Sequence, residues 1–366
     1  MKQLQKIAFA LEEFAVPSPA QQLLDRFLIG YPRDGSIHRL ENCRVVVHLA
    51  GGAENAELTR RRKDFELELS ADLRQALAGA SGVVVVRPGN RVDADQDLLK
   101  RVIESVPRET SCFVHGVLSA GLAGAKAIAR LAGSRQVALL AGTPLGVTWR
   151  LPQPDLPKDT PLKEALVVVQ GKPPGAEFDG LEILMPLLER RQGGEAGIRS
   201  VELLKGDDLW RAGDEGKWSW ALLASAISRS DSPQGDPVKD GRTQDLVGLG
   251  LVPKLAREPR GWLIEHRDGL RSAILVLDGV IADYDFAVRD AAGTTVSAQI
   301  YRPPAPADHQ FSRLAEVIEE FFRSGIGLWP LERGVLVAGL LELFGSPLTQ
   351  SGKTLETPQL DIAYRV

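Results

Sequence analysis

Cysteine is scarce in this 366-residue chain, which contains only Cys43 and Cys112. The two residues lie far apart, and the sequence has no CxxC pair and no cluster of cysteine with histidine. A disulfide framework or a structural zinc site needs such spacings, so neither is expected. Both cysteines fall in apolar, strand-like runs and are interpreted as core thiols.

Long apolar runs and an excess of one charge are also missing. No apolar run reaches 18 residues, and the first residues lack the apolar segment of a signal peptide, which predicts a soluble, cytoplasmic protein without a membrane partner. The 44 basic and 48 acidic residues give a net charge of -4, so no nucleic-acid partner is expected. GxSxG, HExxH, Walker and EF-hand patterns are absent, which argues against the enzyme and sensor classes that carry them.

Short apolar runs alternate with amphipathic helical patterns between Ile7 and Gly142. The run VVVV at 83–86 has no polar alternation, which is typical of a strand buried on both faces of a parallel sheet. The pattern predicts a Rossmann-like α/β domain over residues 1–149. Prolines at 152, 154, 157 and 161 follow, and they place the domain junction near residue 150.

The second half of the chain has a different pattern. Between residues 262 and 301, half-apolar strands are separated by Asp-Gly and Ala-Gly turns. This spacing predicts an antiparallel meander. Two helical patterns and a last short strand complete the chain.

The turn after the first predicted strand, EEFAVPSPA at 12–20, contains no glycine. Dinucleotide-binding domains carry GxGxxG there, because the backbone must pass close to the pyrophosphate. Here Glu12 and Glu13 add negative charge, and Ser18 followed by Pro19 starts an ordinary structural helix. The turn disfavours NAD(P), although atypical contacts could still hold it, and the cofactor is otherwise unknown.

A glycine pair does follow the second strand, in LAGGAEN at 49–55. Glu54 or Glu57 could bind a cofactor ribose at that place. Acidic residues after a strand are, however, more typical of a solvated loop.

Several long stretches carry a family resemblance: AGTPLGVTWRLP (141–152), FDGLEILMPLLERRQGGEAGI (178–198), VELLKGDDLW (201–210) and WLIEHRDGLRSAILVLDG (262–279). They resemble a divergent bacterial branch of the Gfo/Idh/MocA oxidoreductases, the superfamily named for glucose-fructose oxidoreductase and inositol dehydrogenase. The resemblance implies that residues 150–366 form an α+β domain with an open, largely antiparallel sheet. It also implies that the last helices can pack back on the first domain and that the chain forms a homodimer or higher homo-oligomer.

Typical members of that superfamily oxidise or reduce a sugar or polyol hydroxyl with NAD(P), using a lysine after the fifth strand and a histidine at a helix start. By resemblance the lysine position falls on Gly116, in FVHGVL, and the histidine position falls on Asp179, in AEFDGLE. Both positions are changed. These changes agree with the glycine-free turn, since all three remove parts of a dehydrogenase.

Three residues are candidate catalytic groups. His115 ends a predicted parallel strand, where open α/β sheets place ligand contacts. It is interpreted either as a base or as a hydrogen-bonded structural imidazole. Glu177 and Asp179 lie two residues apart at a helix start, where they are either a capping pair or acid/base carboxylates that could also hold a divalent metal with His115.

Thr148, Trp149 and Arg150 follow the sixth predicted strand and are candidate substrate-binding residues. Trp149 offers a flat face for a sugar, and Arg150 offers a fork of donors for hydroxyls or a carboxylate. The alternative is that the three residues lock the domain junction. Asp283 and Asp285 alternate on one face of a strand and are expected to be exposed or to lie at a dimer interface.

Three hypotheses about function follow. The first is a protein that binds a sugar or sugar-derived ligand in the interdomain cleft, with nicotinamide binding weakened or lost. The second is a working NAD(P)-dependent sugar or polyol dehydrogenase with atypical cofactor contacts. The third is a catalytically silent, dimeric ligand sensor or accessory subunit.

Overall fold

The computed structural model describes residues 3–51, 54–87, 97–232 and 245–366. The chain divides into two compact units. The first comprises Met1–Thr148 and Arg302–Gly339, and the second comprises Trp149–Tyr301 and Leu340–Val366. The chain therefore leaves the first unit after Thr148, returns to it at Arg302 and leaves it again after Gly339.

The first unit alternates strands and helices along residues 1–148. Its strands are β1 (Lys6–Leu11), β2 (Tyr31–Arg33), β3 (Ser36–His38), β4 (Arg44–Leu49), β5 (Glu68–Leu69), β6 (Gly82–Val86), β7 (Ser111–His115) and β8 (Ala138–Gly142). Its helices in this part are α1 (Pro19–Leu28), α2 (Ala56–Phe65), α3 (Leu73–Leu77), α4 (Asp97–Ser105) and α5 (Leu122–Arg135), followed by a 3₁₀ turn at Pro144–Gly146.

Six of these strands form one parallel sheet in the order β5-β4-β1-β6-β7-β8. This is the strand order of a Rossmann-like domain, in which the direction of winding reverses beside the first strand. Every residue of β1, β6 and β7 is buried. The uninterrupted apolar runs therefore reflect burial on both faces, and the prediction of a Rossmann-like sheet is confirmed.

The second unit is built on another sheet. Its strands are β9 (Arg150–Leu151), β10 (Leu162–Val169), β11 (Ile198–Lys205), β12 (Arg257–His266), β13 (Arg271–Asp278), β14 (Asp285–Asp290), β15 (Thr295–Ile300) and β16 (Thr354–Glu356). Its helices are α6 (Gly175–Leu188), α7 (Asp207–Asp214), α8 (Trp220–Ile227) and α9 (Val252–Leu255), with a 3₁₀ turn at Pro358–Leu360.

The strands of the second unit form an open sheet in the order β16-β11-β12-β13-β10-β14-β15-β9. Most neighbouring pairs are antiparallel, as predicted, but β10 and β13 are parallel. The expected continuous meander over 262–301 is wrong, because β10 lies between β13 and β14. The turns between the later strands predicted hairpins, whereas the pairing of β10 depends on contacts far along the chain.

Helices pack on both faces of the middle of this sheet. A Cβ atom at Gly180 on α6 would lie 2.5 Å from the side chain of Ile274, so α6 approaches β13 closely. On the opposite face, Leu275 belongs to a buried cluster with Trp218 and Leu222 around α8. Successive residues of a strand point to opposite faces, so Ile274 and Leu275 mark the two covered sides.

Residues 302–339 return to the first unit through α10 (Gln310–Ser324) and the first part of α11 (Leu331–Phe344). The buried Arg26 guanidinium on α1 donates to Ser312 Oγ on α10 and to the carbonyls of Ala307 and Asp308. Trp329 Nε1 donates to the carbonyl of Ala141 at 2.9 Å. In the part of the chain that the structure describes, no helix is both long and apolar enough to cross a membrane.

Candidate functional site

The turn after β1 packs tightly against the end of β4. The Gly51 N–H donates to the Glu12 carbonyl at 3.0 Å, and a Cβ atom at Gly51 would lie only 2.5 Å from the same oxygen. Glu12 N–H in turn donates to the carbonyl of Val86 at the end of β6. The close approach of these two protein segments therefore requires glycine at position 51.

The protein's own side chains also occupy this turn. Phe14 is buried, and the Arg61 guanidinium on α2 lies 5.0 Å from its ring centroid. Arg61 is fixed by two bonds to the Asp25 carboxylate, at 2.6 and 2.8 Å. Asn55 Nδ2 donates to the Phe14 carbonyl at 2.7 Å. The turn is thus fastened to α1 and α2 by an aromatic ring, an ion pair and an amide.

The N-terminus of α1 begins as the sequence predicts. Ser18 is the N-cap, its Oγ accepts from the Gln21 N–H at 3.1 Å, and Pro19 is the first helical residue. Proline has no N–H, so the first turn offers one donor fewer than usual, and Ser18 already uses a second. The helix end is therefore poor in donors for an anion.

His115 is the last residue of β7 and is only 3% exposed. Its ring stacks on Phe311 of α10, with centroids 5.9 Å apart. Neither ring nitrogen has a hydrogen-bond partner among the described residues. Burial, together with the nearby Arg87, lowers the pKa of His115 to about 4. The side chain is therefore a neutral imidazole at neutral pH, with one donor and one acceptor.

Gly116 follows His115 at the position that corresponds by resemblance to the family's lysine. Its φ angle is +95°, its N–H donates to the Gly142 carbonyl, and a Cβ atom there would meet nothing within 4 Å.

The buried Arg87, directly after β6, donates to the carbonyl of Val117, the residue that follows Gly116. Sequence reasoning missed Arg87, although a single arginine ending the run VVVV was an available signal.

Glu177 lies in the first turn of α6 and is buried. Its Oε1 accepts from Arg260 Nε on β12 at 2.6 Å, while Oε2 is buried without a hydrogen-bond partner among the described residues. Arg260 also donates to the carbonyl of Gly171 at 2.8 Å. Glu177 is therefore one half of an ion pair with little solvent around it.

Asp179, the fifth residue of α6, faces a different partner. The Tyr284 hydroxyl donates to Asp179 Oδ2 at 2.8 Å, and Tyr284 itself is buried. Sequence reasoning missed both Arg260 and Tyr284. Nothing near the carboxylates in the sequence points to either of these partners.

The three residues after β8 differ in exposure. Thr148 is buried and its N–H donates to the Pro144 carbonyl at 2.9 Å. Trp149 is 41% exposed, and its carbonyl accepts from the Tyr301 N–H. Arg150 begins the edge strand β9 and is half-buried. Thr148 belongs to the first unit with His115, whereas Trp149 and Arg150 belong to the second unit with Glu177 and Asp179.

Solved structures with the same architecture span almost the whole chain. GenD2 from gentamicin A biosynthesis, solved in complex with NAD, gives a TM-score of 0.62 at 14% identity and covers 98% of this chain and 97% of its own. Scyllo-inositol dehydrogenase from Lactobacillus casei, with bound NAD(H) and scyllo-inositol, gives a TM-score of 0.60 at 9% identity. The match covers 97% of this chain and 99% of that protein. A putative myo-inositol dehydrogenase from Sinorhizobium meliloti 1021 gives a TM-score of 0.57 at 10% identity. That match covers 96% of this chain and 99% of that protein.

The chain has the fold of the Gfo/Idh/MocA-type dehydrogenases. The resemblance found in the sequence is confirmed at the level of the fold. No model of a protein family matches the sequence, and no curated protein matches it either. The turn after β1, Gly116 and Asp179 are the positions at which the sequence resemblance implies a departure from the pattern of a dehydrogenase.

Among the described residues, no group of three or more histidine, cysteine, aspartate or glutamate side chains is arranged to hold a metal ion. The candidate carboxylates of α6 already have protein partners in Arg260 and Tyr284.

Proposed function

We propose that this protein binds a sugar or sugar-derived ligand and that hydride transfer with a nicotinamide cofactor in the usual manner is weakened or lost. The fold supports the ligand class, because one similar structure holds scyllo-inositol and others are described as inositol dehydrogenases. Fold likeness alone does not establish a function, so the argument rests on particular residues of this chain.

The residues of the turn after β1 do not fit a dinucleotide. A pyrophosphate at that place needs glycines for close backbone approach and free N–H groups at the helix end. Here Phe14 and Arg61 fill the turn, Ser18 and Pro19 remove donors from the helix end, and Glu12 adds a negative charge. These features support weakened cofactor binding.

The two positions that would move a proton in a dehydrogenase of this fold also support the proposal. Gly116 offers no amine, and Asp179 offers a carboxylate bound by Tyr284 in place of an imidazole. His115 does not replace them, because a group with a pKa of about 4 is a weak base at neutral pH.

The observation that carries the ligand proposal is the buried ring of His115, whose two nitrogens have no hydrogen-bond partner among the described residues. Leaving a buried polar group without a hydrogen bond costs about 1–3 kcal/mol, so such groups in folded proteins usually have a partner. A neutral imidazole has one donor and one acceptor, and a ligand hydroxyl can satisfy both roles. Its place at the carboxyl end of a parallel strand is where open α/β sheets bind ligands.

In this proposal the remaining candidates keep the roles expected from the sequence. Asp179 contributes a carboxylate oriented by Tyr284, and Glu177, paired with Arg260, is the second candidate acid/base carboxylate. Trp149 offers an exposed aromatic face for a sugar ring, and its neighbours in sequence, Thr148 and Arg150, are the other candidate substrate-binding residues. A homodimer or higher homo-oligomer belongs to the same proposal and rests on the resemblance. A cytoplasmic location, expected from the sequence, is also part of the proposal.

Isothermal titration with scyllo-inositol, myo-inositol and glucose tests the proposal. His115→Phe keeps an aromatic ring against Phe311 but removes both ring nitrogens, so we expect at least a tenfold loss of polyol affinity. Cys112→Ala is the matched control, since it removes another buried group from β7 that bears no proposed role. Equal affinity in wild type and His115→Phe would contradict the role of His115. Absence of binding to all three polyols would reject the proposed ligand class.

A further inference from the structure

A carboxyl group lies buried at the start of β14. Asp285 is 0% exposed, and its backbone is paired with Val168 of β10 and Gln299 of β15. The sequence predicted that the aspartates here are exposed or lie at a dimer interface, and for Asp285 that prediction is wrong, because the chain's own residues bury it. The physical reason is that α8 packs over this part of the sheet, against β14 and β15.

The neighbouring carboxylate, Asp283, is surrounded by donors. Its Oδ1 accepts from the Ser230 hydroxyl at 2.7 Å. Its Oδ2 accepts from the Asp231 N–H at 2.7 Å and from Gln299 Nε2 at 2.8 Å. Both carboxyl oxygens of Asp283 therefore already accept hydrogen bonds from the protein.

Asp285 has the opposite surroundings. Neither of its carboxyl oxygens receives a hydrogen bond from any described residue. Its partner on β15, Gln299, donates to the Asp283 carboxylate, which places that carboxylate beside Asp285. Two ionised carboxylates can only accept, so they would repel each other. One proton removes the conflict, because a protonated Asp285 donates to Asp283. Two carboxyl groups in contact commonly share a proton in this way.

The charges around the pair do not offset a second negative charge. Asp231, after α8, adds another carboxylate, and α8 itself carries no charged residue. Arg229 donates to Ser297 on β15. The residues that β10 and β15 place opposite Asp285 do not titrate: Val168 and Gln299. Burial, then Asp283, and then Asp231 raise the pKa of Asp285 to about 9.

We propose that Asp283 and Asp285 share one proton and that this pair forms a pH-sensitive clasp, which holds residues 229–232 against the start of β14 and against β15. The segment is attached through Ser230 and Asp231 to Asp283, and through Ser232 Oγ, which accepts from the Ala282 N–H at 2.7 Å. When Asp285 loses its proton to solvent, the two carboxylates repel and the clasp weakens. This inference is independent of the proposed function.

The direction of the pH effect follows from the raised pKa. In the unfolded chain Asp285 ionises near its ordinary value of 3.8, whereas in the folded protein it keeps its proton to about 9. The folded state therefore binds one more proton throughout that interval. The clasp stabilises the protein fully at pH values below 3.8, the pKa of Asp285 in the unfolded chain, and this stabilisation is lost as the pH rises toward 9.

Urea unfolding of wild type and Asp285→Asn from about pH 5 to about pH 8 tests the clasp. Asparagine keeps the shape and a donor toward Asp283 but cannot ionise. We expect the unfolding equilibrium constant of wild type to rise relative to that of Asp285→Asn by about tenfold per pH unit. Asp290→Asn, at the other end of β14, is the control and should keep the wild-type pH dependence. An unchanged slope in Asp285→Asn would overturn the proposal.

Two further measurements on the wild-type protein test the shared proton even if a variant folds poorly. At neutral pH the infrared spectrum of wild type should contain the C=O stretch of a protonated carboxylic acid that Asp285→Asn lacks, and absence of that band would contradict a shared proton. Millimolar Mg²⁺, Ca²⁺ or Mn²⁺ should leave the unfolding temperature unchanged. A rise in wild type that disappears in Asp285→Asn would show that the pair holds a cation, which would also overturn the proposal.

Discussion

The Tyr284 hydroxyl donates to Asp179 Oδ2 at 2.8 Å across 105 residues of sequence. This bond joins α6 to the segment before β14 at the position that corresponds by resemblance to the histidine of a dehydrogenase. An aspartate held by a tyrosine can accept from a ligand hydroxyl. The pair therefore agrees with a protein that retains a polar binding surface on this fold while its hydride chemistry has changed.

A double-mutant cycle measures this bond. Tyr284→Phe and Asp179→Ala should each lower the free energy of unfolding, and their coupling should be about 1 kcal/mol, as for a buried hydrogen bond to a charged or neutral acceptor. Urea unfolding of the two single variants and the double variant provides the values. Strict additivity would mean that the two side chains do not interact in solution.

The Glu177–Arg260 pair should be sensitive to removal of one partner. Glu177→Ala leaves the Arg260 guanidinium largely buried without its carboxylate, and breaking such a pair costs about 3–5 kcal/mol. The double variant Glu177→Leu/Arg260→Met replaces both charges with apolar groups and should recover most of that loss. Denaturant unfolding distinguishes these outcomes. A loss below about 1 kcal/mol in Glu177→Ala would show that the pair behaves as an exposed one.

The buried Glu195 predicts the acid limit of stability. Burial alone would raise the pKa of Glu195, but His266 at 2.9 Å and Arg191 at 3.0 Å hold it down to about 2. Because the pKa of Glu195 is lowered on folding, its ionised form stabilises the fold at pH values above 4.5, the pKa in the unfolded chain. This stabilisation is lost as the pH falls toward 2. The loss should approach roughly 3 kcal/mol.

Glu195→Gln should flatten this acid limb, which unfolding followed by circular dichroism between about pH 5 and about pH 2 can measure. Glu258→Gln, at an exposed position near the start of β12, serves as the control. If Glu195→Gln and wild type lose stability in parallel, the buried ion pairs of Glu195 are not what sets the acid limit.

Gly116 should resist substitution because of its backbone and not because of crowding. Its φ angle of +95° is unfavourable for any side chain, although a Cβ atom would meet nothing within 4 Å. Gly116→Ala should therefore cost about 1 kcal/mol or more in the free energy of unfolding. Gly175→Ala is the control, since that glycine is also uncrowded but begins α6 without a positive φ angle, and the change should be neutral or stabilising. Equal effects of the two substitutions would contradict this explanation.

Sequence reasoning predicted the first unit well because its evidence is local. A strand buried on both faces shows no polar alternation, and the run at 83–86 reveals this directly. The place of β10 between β13 and β14 depends on pairs such as Glu164 with Arg271, which no local pattern encodes. Period-two alternation assigned Asp285 to a face of β14 but could not reveal that α8 covers that face.

For the candidate site as well, local sequence patterns predict individual residues but not their partners in the folded chain. His115 is a candidate because the end of a parallel strand is visible in the sequence, and Asp179 is one because a helix start is visible and the family resemblance places the histidine position there. The residues that surround these two side chains could not be predicted from the sequence. Phe311, which stacks on His115, comes from the segment that returns to the first unit, and Tyr284 lies far along the chain from Asp179. The consequences of these contacts, a neutral imidazole and a tyrosine-bound carboxylate, follow only from the folded structure.

Titration of the purified protein with NADH and NADPH, followed by nicotinamide fluorescence, tests the central claim most directly. The turn filled by Phe14 and Arg61 predicts no saturable binding of either cofactor up to millimolar concentration. Saturable binding at micromolar concentration, above all if NAD⁺ or NADP⁺ then supports oxidation of an added inositol, would contradict the account and identify the protein as a working dehydrogenase with atypical cofactor contacts.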